Sequence, residues 1–462
     1  MRLEQVLSRA CLLSDHLDTD LSGVELHGDM DPIYASPLPL AAGTAGVLAL
    51  IGAEASAIRR AQTGIRQTAS VDRLHALLTI SSMWVLKVDD ALAISKFMDA
   101  IAAGQGVFRC RDGKWLYLLS GFPHIVDKTL DAFGVAVEGL EQYIAANDSD
   151  ALEDKLVQAQ LPGVVIRDHA TWLDHPQGRM LQDHPVVTVE KIGDAPVKPL
   201  SDEDLHGLRV LDATRVLAGP TCGKMLAALG ADVLHVGSAA VPDMVAAQID
   251  TGAGKRRAFV DLEMPEGSQT MWDLLATADV FSQSYRANSL ARRGLSVQAV
   301  AQRNPGVIYV TENAYGDFGP WREKRGFDGN VQGASGIHAL HHPPGAPLAI
   351  NGIAMAMNDY CTGYWAAYGV LNALRRRAQE GGSWHVKVSL AQTARWFMRL
   401  GATCDVQASR SEDALWSAVA RYSESDDSPY GLLQRLKFPI EFSHSRARFG
   451  ATVVPGHDHA NW

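Results

Sequence analysis

Two stretches of the chain are apolar almost without interruption: 41–60, and the run from Asp359 to Ala373. Both are rich in small residues and too long for a strand, so each predicts a buried helix, stopped by Gly64 in one case and by Gly381-Gly382 in the other. Between 205 and 310 the pattern is different. Short apolar runs at 208–216, 232–236, 258–262, 280–283 and 307–310 alternate with helical periodicity at 219–229, 266–277 and 296–303. Alternation of this kind predicts a parallel, doubly wound α/β sheet. Ahead of it, 107–118 alternates around Asp112-Gly113, which predicts a hairpin, and amphipathic helices follow at 124–133 and 148–159. Prolines, glycines and charges at 191–204 predict a linker.

A repeat sharpens this division. Arg59-Arg60-Ala61-Gln62-Thr63-Gly64 returns as Arg376-Arg377-Ala378-Gln379-Glu380-Gly381, each copy after an apolar helix and before a short alternating run. The first copy has no carboxylate where the second has Asp359; the matching stretch is Leu38-Pro39-Leu40-Ala41-Ala42. The expected units are 1–95 (a degenerate repeat of the aspartate segment, with a helical lead-in over 1–30), 96–200 (a small α+β domain), 201–400 (a large α/β domain) and 401–462 (an extension packing on it).

Composition narrows the function classes. The 462 residues carry 42 Lys and Arg against 52 Asp and Glu, a net charge of −10, which gives no sign of a nucleic-acid partner. The five cysteines are scattered without metal-ligand spacing, as expected of a reducing, cytoplasmic setting with no structural zinc. The apolar stretch 37–53 is short for a membrane span and runs into Glu54, so a core helix is expected rather than a membrane segment. No GxGxxG, P-loop, GxSxG or HExxH motif occurs, which disfavours a nicotinamide cofactor. His338, His341 and His342 beside Pro343-Pro344-Gly345 read as an exposed loop. Asp359 at the mouth of a buried helix suits an N-cap or a functional acid. Lys255-Arg256-Arg257, Arg286, Arg292 and Arg293 lie near strand ends, where arginines suit phosphates.

The ordered set Leu208-Arg209-Val210-Leu211-Asp212-Ala213-Thr214-Arg215-Val216-Leu217-Ala218-Gly219-Pro220, Gly254-Lys255-Arg256, Tyr285-Arg286, Arg292, Tyr315-Gly316, Gly319-Pro320, Gly326-Phe327-Asp328 and Asp359 with Gly363 resembles the family III CoA-transferases. That group includes formyl-CoA transferase and α-methylacyl-CoA racemase. The small domain precedes the aspartate-bearing half here, so the order looks permuted, or like a tandem array cut out of phase. The usual Asn before the Tyr-Arg pair is Ser284. The resemblance implies a homodimer and coenzyme A as co-substrate, with no metal. It puts CoA contacts on Arg215, Lys255, Arg256, Tyr285, Arg286 and Arg292, and makes Asp359 the nucleophile that carries CoA from an acyl-CoA to a carboxylic acid. Two other readings are a 2-methylacyl-CoA racemase pairing Asp359 with a histidine such as His338, and a retired CoA-binding or assembly protein.

Overall fold

The structure is a computed structural model, and it describes residues 19–28, 33–95, 104–119, 121–200, 203–241, 243–286, 288–342, 356–401 and 411–462. Most of the expected lead-in over 1–30 lies outside these residues.

The run of alternating elements forms one seven-stranded sheet. Its strands are β3 (Val187–Gly193), β4 (Arg209–Ala213), β5 (Asp232–Gly237), β6 (Arg256–Phe259), β7 (Val280–Gln283), β8 (Ile308–Asn313) and β9 (Ser383–Ser389). The spatial order is β6-β5-β4-β7-β8-β9-β3, parallel throughout except for β3, which runs antiparallel to β9. The fold is thus α/β and doubly wound. Chain order reverses between β4 and β7, and ligands of such sheets bind at the carboxyl ends of the strands at that switch point. The expected linker at 191–204 begins as sheet: the chain returns from the small unit as edge strand β3 before the large unit starts, so the boundary at 200 cuts behind a strand that belongs to the large sheet.

Four helices position the site. They are α1 (Leu40–Thr63), α2 (Ala218–Ala228), α3 (Asp328–Ser335) and α4 (Met357–Glu380). Helix α4 is buried on every side from Met357 to Leu374 apart from Asp359, as expected for a helix apolar all round. It packs on α2, on α1 and on β9. Small residues set its distance to α2, since a Cβ on Gly363 would stand 2.4 Å from the Ala218 carbonyl oxygen.

The repeat is a structural repeat. Both long helices span 24 residues. Each ends on a glycine with positive φ whose N–H returns to the carbonyl four residues back, Gly64 to Arg60 at 2.9 Å and Gly381 to Arg377 at 3.0 Å. The strands agree as well. A small sheet of β1 (Val24–His27), β2 (Ala69–Asp72) and β10 (Glu441–Phe442) has β2 parallel to β1 and antiparallel to β10, as β9 is parallel to β8 and antiparallel to β3. Helices α1 and α4 lie side by side, with Thr44 Oγ1 3.7 Å from Cys361 Sγ. Glu54, fully buried on α1, accepts from Asn372 Nδ2 at 3.0 Å, Arg375 Nε at 2.9 Å and Thr19 Oγ1 at 2.6 Å.

The hairpin expected at 107–118 is Gly106–Arg109 and Trp115–Leu118, joined by Val164–Val165 into a separate three-stranded sheet. The last 50 residues serve both halves. Ser423–Ser428 and Gly431–Leu436 form a hairpin on Lys87–Val88, β10 completes the small sheet, and Asp458 accepts from the Arg257 N–H at 2.8 Å.

Candidate active site

A cleft of about 320 Å³ opens at the switch point. Strand ends furnish its floor: Arg215 to Leu217 after β4, Ser284 to Arg286 after β7, Glu312 to Ala314 at the end of β8 and Leu390 after β9. Asp359 reaches it from the first turn of α4, Arg322, Lys324 and Arg325 from the loop before α3, and Phe122, His124 and Ile125 from the small unit. The small unit therefore covers the cleft within the same chain.

The turn after β4 is tightly held. Val216 has φ +68, a conformation rare for a β-branched residue. Its N–H donates to Asp243 Oδ2 at 2.8 Å, and the Arg215 N–H donates to Ser284 Oγ at 3.0 Å. Ser284 thus clamps the β4 turn to the β7 turn. Strain kept at such a place is a mark of functional sites.

Asp359 is not the N-cap. It is the third residue of α4, half-buried, and its carboxylate makes no hydrogen bond among the described residues. Asp328 caps the helix instead. Its Oδ2 accepts the N–H groups of Asn358 (2.7 Å) and Asp359 (3.0 Å), and its Oδ1 accepts Asn358 Nδ2 (2.9 Å) and Gln332 Nε2 (2.7 Å). Burial raises both carboxyls, but with four donors Asp328 is the better place for negative charge, which leaves the proton to Asp359. Burial, then Asp328, then Glu312 raise it well above the carboxylate range.

The same cleft is rich in cations. Arg215, Arg286, Arg322, Lys324 and Arg325 all line the cleft. Arg325 feels burial and then the charges of Arg286 and Arg215, all lowering its hold on its proton. Arg286 is steered by Gln160 of the small unit, whose Oε1 accepts from it. Mutually repelling guanidiniums around a cavity form a site for an anion, and their planar donors suit phosphate.

Of the residues named from sequence, the cleft brings together Asp359, Arg215, Tyr285 and Arg286. It leaves out Lys255, Arg256 and Arg292. Lys255 is buried beneath the sheet end, with Nζ 2.8 Å from Asp212 Oδ2 and 2.7 Å from the Pro220 carbonyl. Burial works against the Asp212 charge, but Lys255 and His235 hold its carboxyl well below the usual range. Arg256 starts its strand at the opposite edge and pairs with Asp232 at 3.2 Å. Arg292 sits exposed in the short turn Ala291–Arg293. The His338 cluster is no exposed loop: His338 is buried on the helix Ile337–Leu340, against Tyr117 and His342, and does not line the cleft. The histidine that does is His124, exposed at the rim. Sequence reasoning missed Glu312, Lys324 and the capping role of Asp328. The signals were an acid inside an otherwise apolar strand, a run of charge at Arg322-Glu323-Lys324-Arg325, and an acid just after Gly326-Phe327.

Known proteins bear on this geometry. Residues 205–415 match the model of CoA-transferase family III. An acyl-CoA transferase of Gibberella moniliformis is 28% identical over 414 residues, covering 80% of this chain and 72% of its own. A succinate–glutarate CoA-transferase of Agrobacterium fabrum is 34% identical over 205 residues, 40% of this chain and 50% of its own. A solved CAIB/BAIF family protein from Brucella suis aligns at 30% identity over 42% of this chain and 54% of its own, with a TM-score of 0.38. The chain thus spans half to about three quarters of these curated relatives, 50% of one and 72% of the other. The matched residues hold most of the large sheet, most of the cations of the cleft and Asp359, so the likeness to CoA-transferase family III covers the site itself.

Proposed function

We propose that the protein moves CoA from an acyl-CoA to a carboxylic acid through a covalent intermediate on Asp359. The observation that carries this is the placement of the Asp359 carboxyl, free of hydrogen bonds among the described residues, in a cleft that Arg215, Arg286, Arg322 and Arg325 also line. The arginines receive the phosphates of CoA, and the thioester then lies over Asp359. The Asp359 carboxylate attacks the thioester carbon, the carbon–sulfur bond breaks, and CoA leaves as thiolate with an acyl-aspartate anhydride behind it. The thiolate attacks the aspartyl carbon, freeing the first acid and leaving an aspartyl-CoA thioester. The acceptor carboxylate attacks that thioester in turn, and the thiolate passes to its acyl group while Asp359 is restored. Covalent catalysis divides one difficult exchange into easier ones. The fixed Asp328 cap holds the first turn of α4, and with it the nucleophile, in one orientation.

The test is trapping. Acyl-CoA plus hydroxylamine should leave a hydroxamate on the peptide containing Asp359, dependent on acyl-CoA and lost in Asp359→Ala. CoA binding with no adduct from any donor would sink the reading. Exchange of the α-hydrogen of a 2-methylacyl-CoA with solvent deuterium, without acyl transfer, would instead support a racemase. The names of the relatives, all transferases, and the position of His338 outside the cleft both weigh against that outcome.

A further inference from the structure

Glu312 is the last residue but one of strand β8 and lines the same cleft as Asp359. It is only 7% exposed, and its Oε2 has no hydrogen-bond partner among the described residues. Gly219, in the first turn of α2, backs directly onto it: a Cβ there would stand 2.5 Å from Oε2. Only a residue without a side chain lets the start of α2 come this close; the nearby Gly219 N–H favours the charged form of the carboxyl, but less than burial and Asp212 oppose it.

The groups around Glu312 do not neutralise it. From the sheet comes Asp212, whose charge is already matched by Lys255. From α2 comes the buried Cys222 thiol, which burial pushes up and keeps protonated. From α4 comes Asp359, with Asp328 behind it. The cations Arg215, Arg286, Arg322, Lys324 and Arg325 line the same cleft, and none of them makes an ion pair with Glu312 among the described residues. A bare carboxylate at this depth is disfavoured. Burial and then Asp212 raise Glu312 to about 8, so at neutral pH it is a carboxylic acid with a proton to offer.

We propose that Glu312 is a second catalytic residue of the Asp359 centre, its protonated carboxyl donating a hydrogen bond to the acyl oxygen of the bound thioester. This rests on the transferase reading. As an oxygen of Asp359 bonds to the thioester carbon, the carbonyl π pair moves onto the acyl oxygen, and the Glu312 O–H donates to that oxyanion. When the carbonyl re-forms, the carbon–sulfur pair departs with CoA. Glu312 keeps its proton throughout, in accord with a net exchange that neither takes up nor releases one. In its neutral form it also removes one of the two charges that oppose ionisation of Asp359.

Only the protonated form can donate, so transfer activity should fall as pH rises through about 8. Glu312→Gln keeps a donor and cannot ionise: its turnover should drop by no more than about tenfold, and the alkaline fall should vanish. Glu312→Leu has no donor and should lose about 10²–10³ in kcat, the usual effect of removing one oxyanion donor, with its Kd for CoA unchanged. Wild-type turnover in the Leu variant, or an alkaline fall that persists in the Gln variant, would overturn the assignment. If the Leu variant does not fold, the Gln profile decides alone. Hydroxylamine trapping run alongside separates the two claims. No adduct at Asp359 in the wild type defeats the transferase reading itself; an adduct that forms as fast in Glu312→Leu as in wild type defeats only the role of Glu312.

Discussion

At the scale of single residues the site is built on a division of labour between two acids, Asp328 and Asp359. Asp328 has four donors and acts on the backbone of α4; Asp359 has none among the described residues and faces the cleft. Removing Asp328 has two effects of the same sign on its neighbour. The like charge disappears, and the N–H groups of residues 358 and 359 become free to support the Asp359 carboxylate. Its raised proton affinity should therefore fall. In Asp328→Ala the acid limb of acylation, set by ionisation of Asp359, should move to lower pH, and the fold should lose about 1–2 kcal/mol with the cap. A pH profile of acyl-CoA consumption with a denaturation curve checks both. An acid limb unmoved in the variant would mean that the two carboxyls do not sense each other. Asp359 itself was legible in the sequence because an acid stands out at the head of an apolar helix. Its capping partner was not, because Asp328 lies 31 residues earlier, beyond any local pattern.

At the scale of elements, α1 and α4 are bound by a buried charge cluster rather than by apolar contact alone. Glu54 is stranded if Arg375 is removed, and an uncompensated buried charge costs about 3–5 kcal/mol. Arg375→Met should lower the unfolding midpoint by a correspondingly large amount, whereas Arg376→Met, which breaks the pair with Glu380 at 3.0 Å, a 3.4 Å bond to the Val189 carbonyl and the stacking of Arg376 on Trp384 but strands no buried charge, should change it less. Thermal or urea unfolding of the two variants makes the comparison. The long helices and the strands of the parallel sheet were readable from periodicity, since local spacing decides them. Strand β3 was not, because 187–193 joins a sheet whose other members lie downstream, and neither was the small sheet, whose three strands come from residues near 25, 70 and 441. Pairing across such distances leaves no local trace. The basic triplet 255–257 misled for a related reason: strand-start position put Lys255 under the sheet, where it neutralises Asp212 instead of a ligand.

At the scale of the whole molecule, a chain of net charge −10 concentrates cations in one cleft. An anionic ligand is repelled by the surface at large and drawn to that opening. Association with CoA should be sensitive to ionic strength, its on-rate falling by about tenfold or more between low and high salt as the field is screened. Stopped-flow binding at several salt concentrations measures this, and a salt-independent rate would show that the cleft arginines do not receive the phosphates. The small unit closes the same opening with Phe122 and His124 and, through Gln160, holds Arg286 in place. On the proposed reading, substrate recognition is divided between the part that carries Asp359 and a part that precedes it in the chain.

The paired long helices have a consequence for numbers of turnovers per molecule. The repeat that sets Thr44 against Cys361 aligns position 42 with position 359, and position 42 is alanine. Two copies of the scaffold thus carry one carboxylate at this position. The first copy stands as a wall against which the second is packed. On the transferase reading, acyl loading should saturate at one per chain.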